Sequence, residues 1–591
     1  MVPLYLQSPA WSFVFQPKRF VALSLALLVS ACATATTPPP APAVTPPQAA
    51  TTPVGPKVMV AAANPLAVEA GLNVLRKGGS AVDAAVAVQA VLGLVEPQSS
   101  GLGGGAFMTF YDAKTRKVIA YNGRETAPAA ANDQLFIDPE TGKPLPFVRA
   151  VLSGKATGVP GAVAMLSMAQ KQHGKLAWKD LFGDAERLAD DGFIVSPRLA
   201  GMIASSAPQA GAPDAVAYFT KPDGQRYQAG DTLKNAAYAA TVRKIAAEGP
   251  KALLEGEIAQ AIIAKTHSGA LPGALTLADL KTYKPLVGEA VCGPYRVYVV
   301  CVPNAPSSGA AILEALGILS HTDIASRGPA DPQAWFLFAQ ASRLMYADRD
   351  RYFGDPAFTP VPIAGLLDPA YIAERAKLIG DVAGPAPAPG TPKGAGKLAP
   401  DATKEPGGTT HMVIVDADGN VVSMTTTVES IFGTGRMVGG FFLNNQLTDF
   451  SFAPRNTDGT EAANAVAAGK RPRSSMAPTI VLDQQGRFVT ALGSPGGNSI
   501  LAYNLKALVA VLDWKLPMDQ AFALPNLIAR GDSFASEPAR FAPGVVQGLA
   551  AKGIEFRGSG GEGSGLHGII MTPEGLKGAA DDRREGVAKG F

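Results

Sequence analysis

Residues 405–430, EPGGTTHMVIVDADGNVVSMTTTVES, constrain this chain most. Two apolar runs flank a turn, the pattern of a β-hairpin. Hydroxyls crowd both of its ends, and Thr409-Thr410 stand directly behind Gly407-Gly408. If Ala417-Asp418-Gly419 form a three-residue loop with Gly419 left-handed, Asp416 faces Asn420. Counting outward, Thr409 then faces Thr427, with Cβ atoms ~5 Å apart. A two-residue loop at Asp418-Gly419 would set Thr410 against Thr427 instead. The Asp-x-Asp-Gly-Asn sequence favours the first register, because it suits a type I turn followed by a left-handed glycine.

Paired hydroxyls at a strand start permit one specific chemistry. Thr409 can attack the carbonyl of Gly408, which carries no side chain to obstruct the strained approach. Hydrolysis of the resulting ester frees Thr409 as a new N-terminus. Its α-amine, with an ordinary pKa of about 7.7–8.0, is then a base for its own hydroxyl near neutral pH. Thr427 is placed to hold that hydroxyl. The plain alternative is a threonine-rich strand after an ordinary Gly-Gly, since threonine is common in strands.

The 591 residues are 47% hydrophobic and 17% charged, enough for a large core. Net charge is +3 and the lysines and arginines are dispersed, with no basic stripe for nucleic acid. Residues 1–31 read as a targeting segment. Lys18-Arg19 precede the apolar run Phe20–Ala31, too short to span a bilayer, and Val29-Ser30-Ala31-Cys32 follows the lipobox pattern. Cys32 is the expected lipidation site, and an exported, periplasmic, membrane-anchored protein is the expected result. An ordinary signal peptide cut nearby is the alternative. Residues 32–56 form a Pro/Ala/Thr tether. Cys292 and Cys301 lie in VCGPYRVYVVCV, read as a hairpin turning near Pro294; that turn keeps the cysteines apart, so buried thiols and no bridge are expected.

Helical spacing runs through residues 64–97, broken at Gly78-Gly79, with the second helix apolar all round and hence buried. A glycine loop leads into strands at Ala106–Tyr111 and Val118–Asn122. Further helices fit Ala162–Gln172, Trp178–Asp190, Ala237–Glu248 and Gln333–Arg351. Residues 381–408 read as an exposed, mobile linker. A strand-rich second part follows, with a hairpin in 476–494 and a helix after it. A mixed α/β layered architecture results.

Other stretches add charge partners. Arg124 ends a strand, and arginine grips a carboxylate with a bidentate fork, to which Ser474-Ser475 add donors. Glu429 and Asp449 can hold an ammonium, beside Gln446. The backbone N–H groups of Gly496-Gly497 suit an oxyanion hole. Singly, each has a simpler reading: a surface ion pair, a turn cap, a tight turn, and for Ser307-Ser308-Gly309 a helix N-cap.

Together these stretches carry a resemblance. GGSAVDAAVA, GLGGGAFM, TTHMVIVDADGNVVSMT, FGTG, NNQLTDFS, GKRPRSSM and GSPGG occur in the order found in γ-glutamyltransferases, the glutathione hydrolases of the N-terminal nucleophile superfamily. The chain resembles that family from about Asn64 to its end. The resemblance implies a four-layer αββα sandwich built jointly by a large chain (57–408) and a small chain (409–591), cut between Gly408 and Thr409. It implies Thr409 as nucleophile supported by Thr427. Arg124, Ser474 and Ser475 would hold the substrate α-carboxylate, Glu429, Gln446 and Asp449 its α-amino group, and Gly496 and Gly497 the oxyanion. Many members carry Asn at the position of Glu429. The segment 452–472 matches the lid region but is short and lacks a gate aromatic, which implies a more open pocket.

The implied activity is ping-pong transfer of a γ-glutamyl group from glutathione or related donors to water, amino acids or peptides. No cofactor and no metal are expected: His173, His267, His321, His411 and His567 lack ligand spacing. No G-x-S-x-G elbow and no phosphate loop occur. Two rivals stand beside this reading: a glutaryl or cephalosporin-type acylase of the same fold, and an uncleaved, non-enzymatic surface lipoprotein.

Overall fold

The computed structural model describes residues 55–401, 403–558 and 563–591. The targeting segment, nearly all of the tether and Cys32 lie outside the described residues. Among the described residues, no helix is long and apolar enough to cross a membrane.

Two β-sheets stack face to face. The seven-stranded sheet runs in the order 587–590, 59–62, 408–415, 421–429, 105–112, 117–123 and 286–289. The six-stranded sheet runs 575–580, 567–572, 488–493, 479–483, 298–302 and 291–295. The alternation of strand side chains explains the layering. Val413, Val415 and Val421 pack between the sheets with Ile480, Leu482, Ala491 and Ile569. Met412, Ile414, Val422 and Met424 point the other way, into a core with helices Pro65–Arg76, Ala81–Val95 and Ala236–Glu248. Behind the second sheet, Val300, Val302, Val481 and Leu492 pack on helices Gly309–Ser320, Pro332–Tyr352 and Ile500–Leu512. The result is helix, sheet, sheet, helix: the αββα sandwich.

Most expected elements form where the periodicity puts them. The Ala81–Val95 helix buries all its residues and is opened by a Ser80–Asp83 capping box. The 178–190 helix is instead two pieces, a short 3₁₀ turn at Trp178–Leu181 and an α-helix at Gly183–Asp191, parted at Phe182.

Two expectations need correction. Cys292 and Cys301 are disulfide-bonded, with Cα atoms 4.1 Å apart. The strands Val291–Tyr295 and Tyr298–Val302 turn at Arg296-Val297, not at Pro294, so Cys292 pairs directly with Cys301. Arg296 supplies the left-handed backbone of that tight turn, at φ 55°. Pro294 fits inside the strand because the strand lies at the sheet edge, where a missing N–H costs no ladder bond.

The second correction concerns 381–408. Its described residues contain no helix, it ends in the strand beginning at Gly408, and much of it is exposed, but Ala399, Asp401 and Glu405 are tied down. Ala399 bridges to Ala462, the Asp401 carboxylate pairs with Arg473 at 3.0 Å, and Glu405 is buried among arginines. Composition makes this stretch look like a linker, while two of its three acids, Asp401 and Glu405, make long-range ion pairs that composition does not reveal.

Candidate active site

The hairpin has the three-residue loop. The Asp416 N–H donates to Asn420, the Gly419 N–H donates back to Asp416, and Gly419 is left-handed at φ 82°. Thr409 therefore faces Thr427. On the same face as Val413 and Val415, Thr409 projects between the two sheets, toward the loops that end the second sheet's strands.

The chain is continuous through Gly408–Thr409. The Thr409 hydroxyl donates to the Thr427 hydroxyl at 3.0 Å, and the Thr427 hydroxyl donates to the Gly408 carbonyl at 2.9 Å. Thr427 Oγ1 also accepts the Glu429 N–H at 2.8 Å. A register shift between Thr427 and Glu429, with Glu429 at φ 83°, turns that N–H inward. Gly408 is required by packing as well as by approach: a Cβ there would lie 2.3 Å from the Glu429 carbonyl oxygen. The Arg584 guanidinium donates to the Thr409 carbonyl at 3.0 Å, fixing the strand from the far side.

Arg124, Thr409, Thr427, Glu429, Gln446, Asp449, Ser474, Ser475 and Gly497 line one cavity, and Gly496 lines the space beside it. All ten expected catalytic and substrate-binding residues thus converge, from both sides of the Gly408–Thr409 bond. The cavity holds only ≈ 10 Å³, about one water, and Glu405 and Pro406 form part of its lining. The openness implied by the short lid segment concerns the cut enzyme, while in the uncut chain Glu405 and Pro406 stand at the pocket. They belong to the stretch just before Thr409, not to residues 452–472. Beyond that stretch lies a larger cavity of ≈ 480 Å³, lined by Gly496, Tyr503, Asn526, Ser536 and Arg583.

One wall of the cavity is acidic and incompletely paired. Asn445 and Ser430 donate to Glu429 Oε2, Gln446 Nε2 donates to Asp449 Oδ2 at 2.9 Å, and Arg124 donates to the same Asp449 oxygen. Glu429 Oε1, Gln446 Oε1 and Asp449 Oδ1 are buried and receive no N–H or hydroxyl donor, the Glu429 and Asp449 carboxyls lying within hydrogen-bonding reach of each other. Three orphan acceptors in one corner match the three donors of an ammonium. Burial, compounded by Asp449, holds the Glu429 carboxyl well above the usual carboxylate range, and burial also raises Asp449 against the pull of Arg124. Such a pair resists carrying both charges, and a cation between them relieves that. Arg124 is fully buried, and its Nη1 also lacks a hydrogen-bond partner. Its neighbour Glu125, 3.6 Å away, is pushed up to about 8 by burial, so near neutral pH it does not cancel the guanidinium charge.

The opposite wall was not legible in the sequence. Arg349, from the Pro332–Tyr352 helix, donates to Glu405 and, at 2.7 Å, to the Ser475 hydroxyl. Arg473 Nε lies 3.5 Å from Glu405, and the Ser475 N–H donates to the other Glu405 oxygen at 3.0 Å. Burial works against the Glu405 charge, but the two guanidiniums outweigh it and hold that carboxyl below its usual range. Ser474 uses its hydroxyl to accept the Met476 N–H at 3.1 Å, shaping its own turn. Ser308 starts its helix without a side-chain cap and instead accepts from Arg349 Nε. Arg349 sits in the charged run ADRDR, which reads as a solvated helix end, and only the fold shows that it is buried.

The family model for gamma-glutamyltranspeptidase matches residues 67–591. The chain belongs to that family. It is 36% identical over 551 residues to a glutathione hydrolase proenzyme of Bacillus subtilis strain 168, covering 91% of this chain and 92% of the relative. It is 34% identical over 541 residues to an Acylase ACY 1 proenzyme of Pseudomonas sp. strain SE83, covering 90% and 93%. The crystal structure of a cephalosporin acylase from Bacillus halodurans superposes with a TM-score of 0.80 at 26% identity, covering 93% of this chain and 99% of the other. Members therefore include both γ-glutamyl hydrolases and acylases, and the site must decide between them.

Proposed function

We propose that this chain is a self-cleaving γ-glutamyltransferase and glutathione hydrolase. Thr409 Oγ attacks the Gly408 carbonyl carbon, the C–N bond breaks, and the hydroxyl proton ends on the Thr409 nitrogen. Water then cleaves the ester, leaving a Gly408 carboxylate and a free Thr409 amine and hydroxyl. In the second stage that amine takes the proton as Thr409 attacks the γ-amide of a donor such as glutathione. The C–N bond breaks and the amine portion leaves with that proton; water, an amino acid or a peptide then takes the γ-glutamyl group from the ester, its proton passing through the Thr409 amine back to Thr409 Oγ. Thr427 orients the nucleophile. Gly496 and Gly497 stabilise the oxyanion through their N–H groups. Arg124, Ser474 and Ser475 bind the substrate α-carboxylate, while Glu429, Gln446 and Asp449 bind its ammonium. No step needs a cofactor.

The observation that carries this reading is the relay from Thr409 through Thr427 to the Gly408 carbonyl, at 3.0 and 2.9 Å, within the cavity that holds the three orphan acceptors. Those acceptors also weigh against the acylase reading. A glutaryl group has no ammonium, and binding it would leave Glu429 and Asp449 facing an unpartnered pocket. The named acylase relatives keep that reading in the test. Both large and small chains supply strands to the seven-stranded sheet, which supports a heterodimer that stays interleaved after the cut. The leader and Cys32 support an exported protein anchored by lipid; incorporation of labelled palmitate that stops in Cys32→Ser tests it.

N-terminal sequencing of the purified protein is expected to find a fragment beginning at Thr409, and Thr409→Ala is expected to stay whole and inactive. The cut enzyme should turn over γ-glutamyl-p-nitroanilide faster than the glutaryl amide. The reverse preference would establish the acylase reading. A single uncut wild-type band would exclude self-cleavage.

A further inference from the structure

Glu405 is buried, four residues before the reacting threonine, in a stretch that otherwise reads as a linker. Both of its carboxylate oxygens are engaged, one by Arg349 and Arg473 and one by the Ser475 N–H at 3.0 Å. Its backbone is engaged too: the Glu405 carbonyl accepts the Asn498 N–H at 3.1 Å. That contact lays residues 405–407 on the Gly496-Gly497 loop so closely that a Cβ on Gly497 would come within 2.0 Å of the Glu405 carbonyl oxygen. Gly497, at φ 54°, therefore serves the docking of this segment as well as any later oxyanion.

Three residues separate this double anchor from Thr409. Pro406 restricts the first of them and Gly408 is already paired with Glu429 at the strand start, so Gly407 is the one link held by neither side. With Gly407 unanchored, the Gly408 carbonyl would be held only from the strand side, by Thr427, and self-cleavage needs one orientation, with the carbonyl carbon within reach of Thr409 Oγ. On the other side, Thr409 is fixed by its strand and by Arg584.

We infer that Glu405 is the positioning residue for self-cleavage: its carboxylate, clamped by Arg349, Arg473 and the Ser475 N–H, fixes the Gly407-Gly408 stretch so that the Gly408 carbonyl meets the Thr409–Thr427 hydroxyl pair. Glu405 touches none of the reacting atoms and acts through the backbone. The inference rests on the self-cleavage proposed above and adds a residue to it. The bonds made and broken are those already given; Glu405 neither gains nor loses a proton.

The test is a time course of conversion of full-length chain to fragments at a temperature well below unfolding, for wild type, Glu405→Gln, Glu405→Asp and Arg473→Gln. Glutamine keeps the shape and loses the charge. Arg349 and Arg473 then retain Asp350 and Asp401 as partners, so the fold survives. Glu405→Gln is expected to slow cleavage on the order of ten-fold or more, with its melting temperature close to that of wild type. Glu405→Asp should cut faster than Glu405→Gln because the charge remains, and Arg473→Gln should be slowed in the same direction. Cleavage of Glu405→Gln at the wild-type rate overturns the inference and leaves the proposed function standing. So does loss of its cooperative unfolding transition, which would make Glu405 a structural residue. A wild-type chain that is never cut instead overturns the proposed function on which the inference rests.

Discussion

The two walls of the cavity differ in one respect that explains most of the site. On the Glu405 wall every carboxylate oxygen has a partner, supplied by Arg349, Arg473 and Ser475. On the Glu429 wall three acceptors receive no N–H or hydroxyl donor. Both are fully interior, so the difference is not exposure. A buried polar group without a partner costs about 1–3 kcal/mol; the Glu405 wall leaves only donors unbonded, on the ion-paired Arg473 guanidinium, while the Glu429 wall leaves acceptors. The paired wall is a carboxylate site that the chain fills with its own residue. Under the proposed function, the unpaired wall takes the substrate ammonium. Removing a charge from each should therefore have opposite consequences for stability.

The largest expected effect is on the paired wall. Arg349→Gln in the Thr409→Ala background, where the chain stays whole, strips Glu405 of its main partner inside the fold. Breaking such a buried pair from one side costs about 3–5 kcal/mol. Thermal or urea unfolding measures it. Adding Glu405→Gln to the same chain should recover part of the loss, because the stranded charge is gone. A loss below about 1 kcal/mol would mean the pair behaves as an exposed one, and the comparison would fail.

On the unpaired wall, Glu429→Gln should do the reverse. It removes a carboxylate that burial and Asp449 already disfavour, so the melting temperature should hold or rise. It also removes a charge that the substrate ammonium needs. The kcat/KM for γ-glutamyl-p-nitroanilide should fall by a factor corresponding to about 2–3 kcal/mol, roughly 30- to 150-fold. Equal loss of stability and activity would place Glu429 among ordinary core residues and sink the ammonium assignment.

How these features relate to the sequence follows the distance between partners. The Thr409–Thr427 pairing is readable because a single turn, Asp416 to Asn420, sets it, and local turn chemistry is written locally. The same kind of reasoning failed at Cys292–Cys301, where Pro294 looked like the turn and the real one, at Arg296-Val297, has no glycine to mark it. The helices were legible by period, except where Phe182 divides one in two. Site residues in compact motifs, such as Gln446 with Asp449 or Ser474 with Ser475, were found together. Arg349 and Glu405 were not: 56 residues separate them, one on a helix and the other in a Pro/Gly-rich stretch. Nothing in either neighbourhood distinguishes a solvated charge from a buried one until the sheets bring them together.

A finer effect separates the two walls by pH. In the unliganded enzyme, burial and the neighbouring carboxylate raise Glu429, and burial raises Asp449. A carboxyl raised on folding contributes stability that is complete below its unfolded value and is lost as pH rises through its folded value. Between the ordinary carboxylate range and the raised one, the free enzyme thus loses stability with rising pH. An ammonium in the corner favours the charged pair and cancels that loss. The thermal shift produced by L-glutamate on the cut enzyme should therefore grow with pH across this interval, by about 1.4 kcal/mol for each pKa unit relieved. Glu405, held below its usual range, titrates far from this window and adds no slope. The Thr409 α-amine titrates in wild type and Glu429→Gln alike, so the difference between their profiles isolates the acidic pair. Identical slopes in the two proteins would show that the orphan acceptors do not meet the ligand's ammonium, and the distinction between the filled wall and the waiting one would be lost.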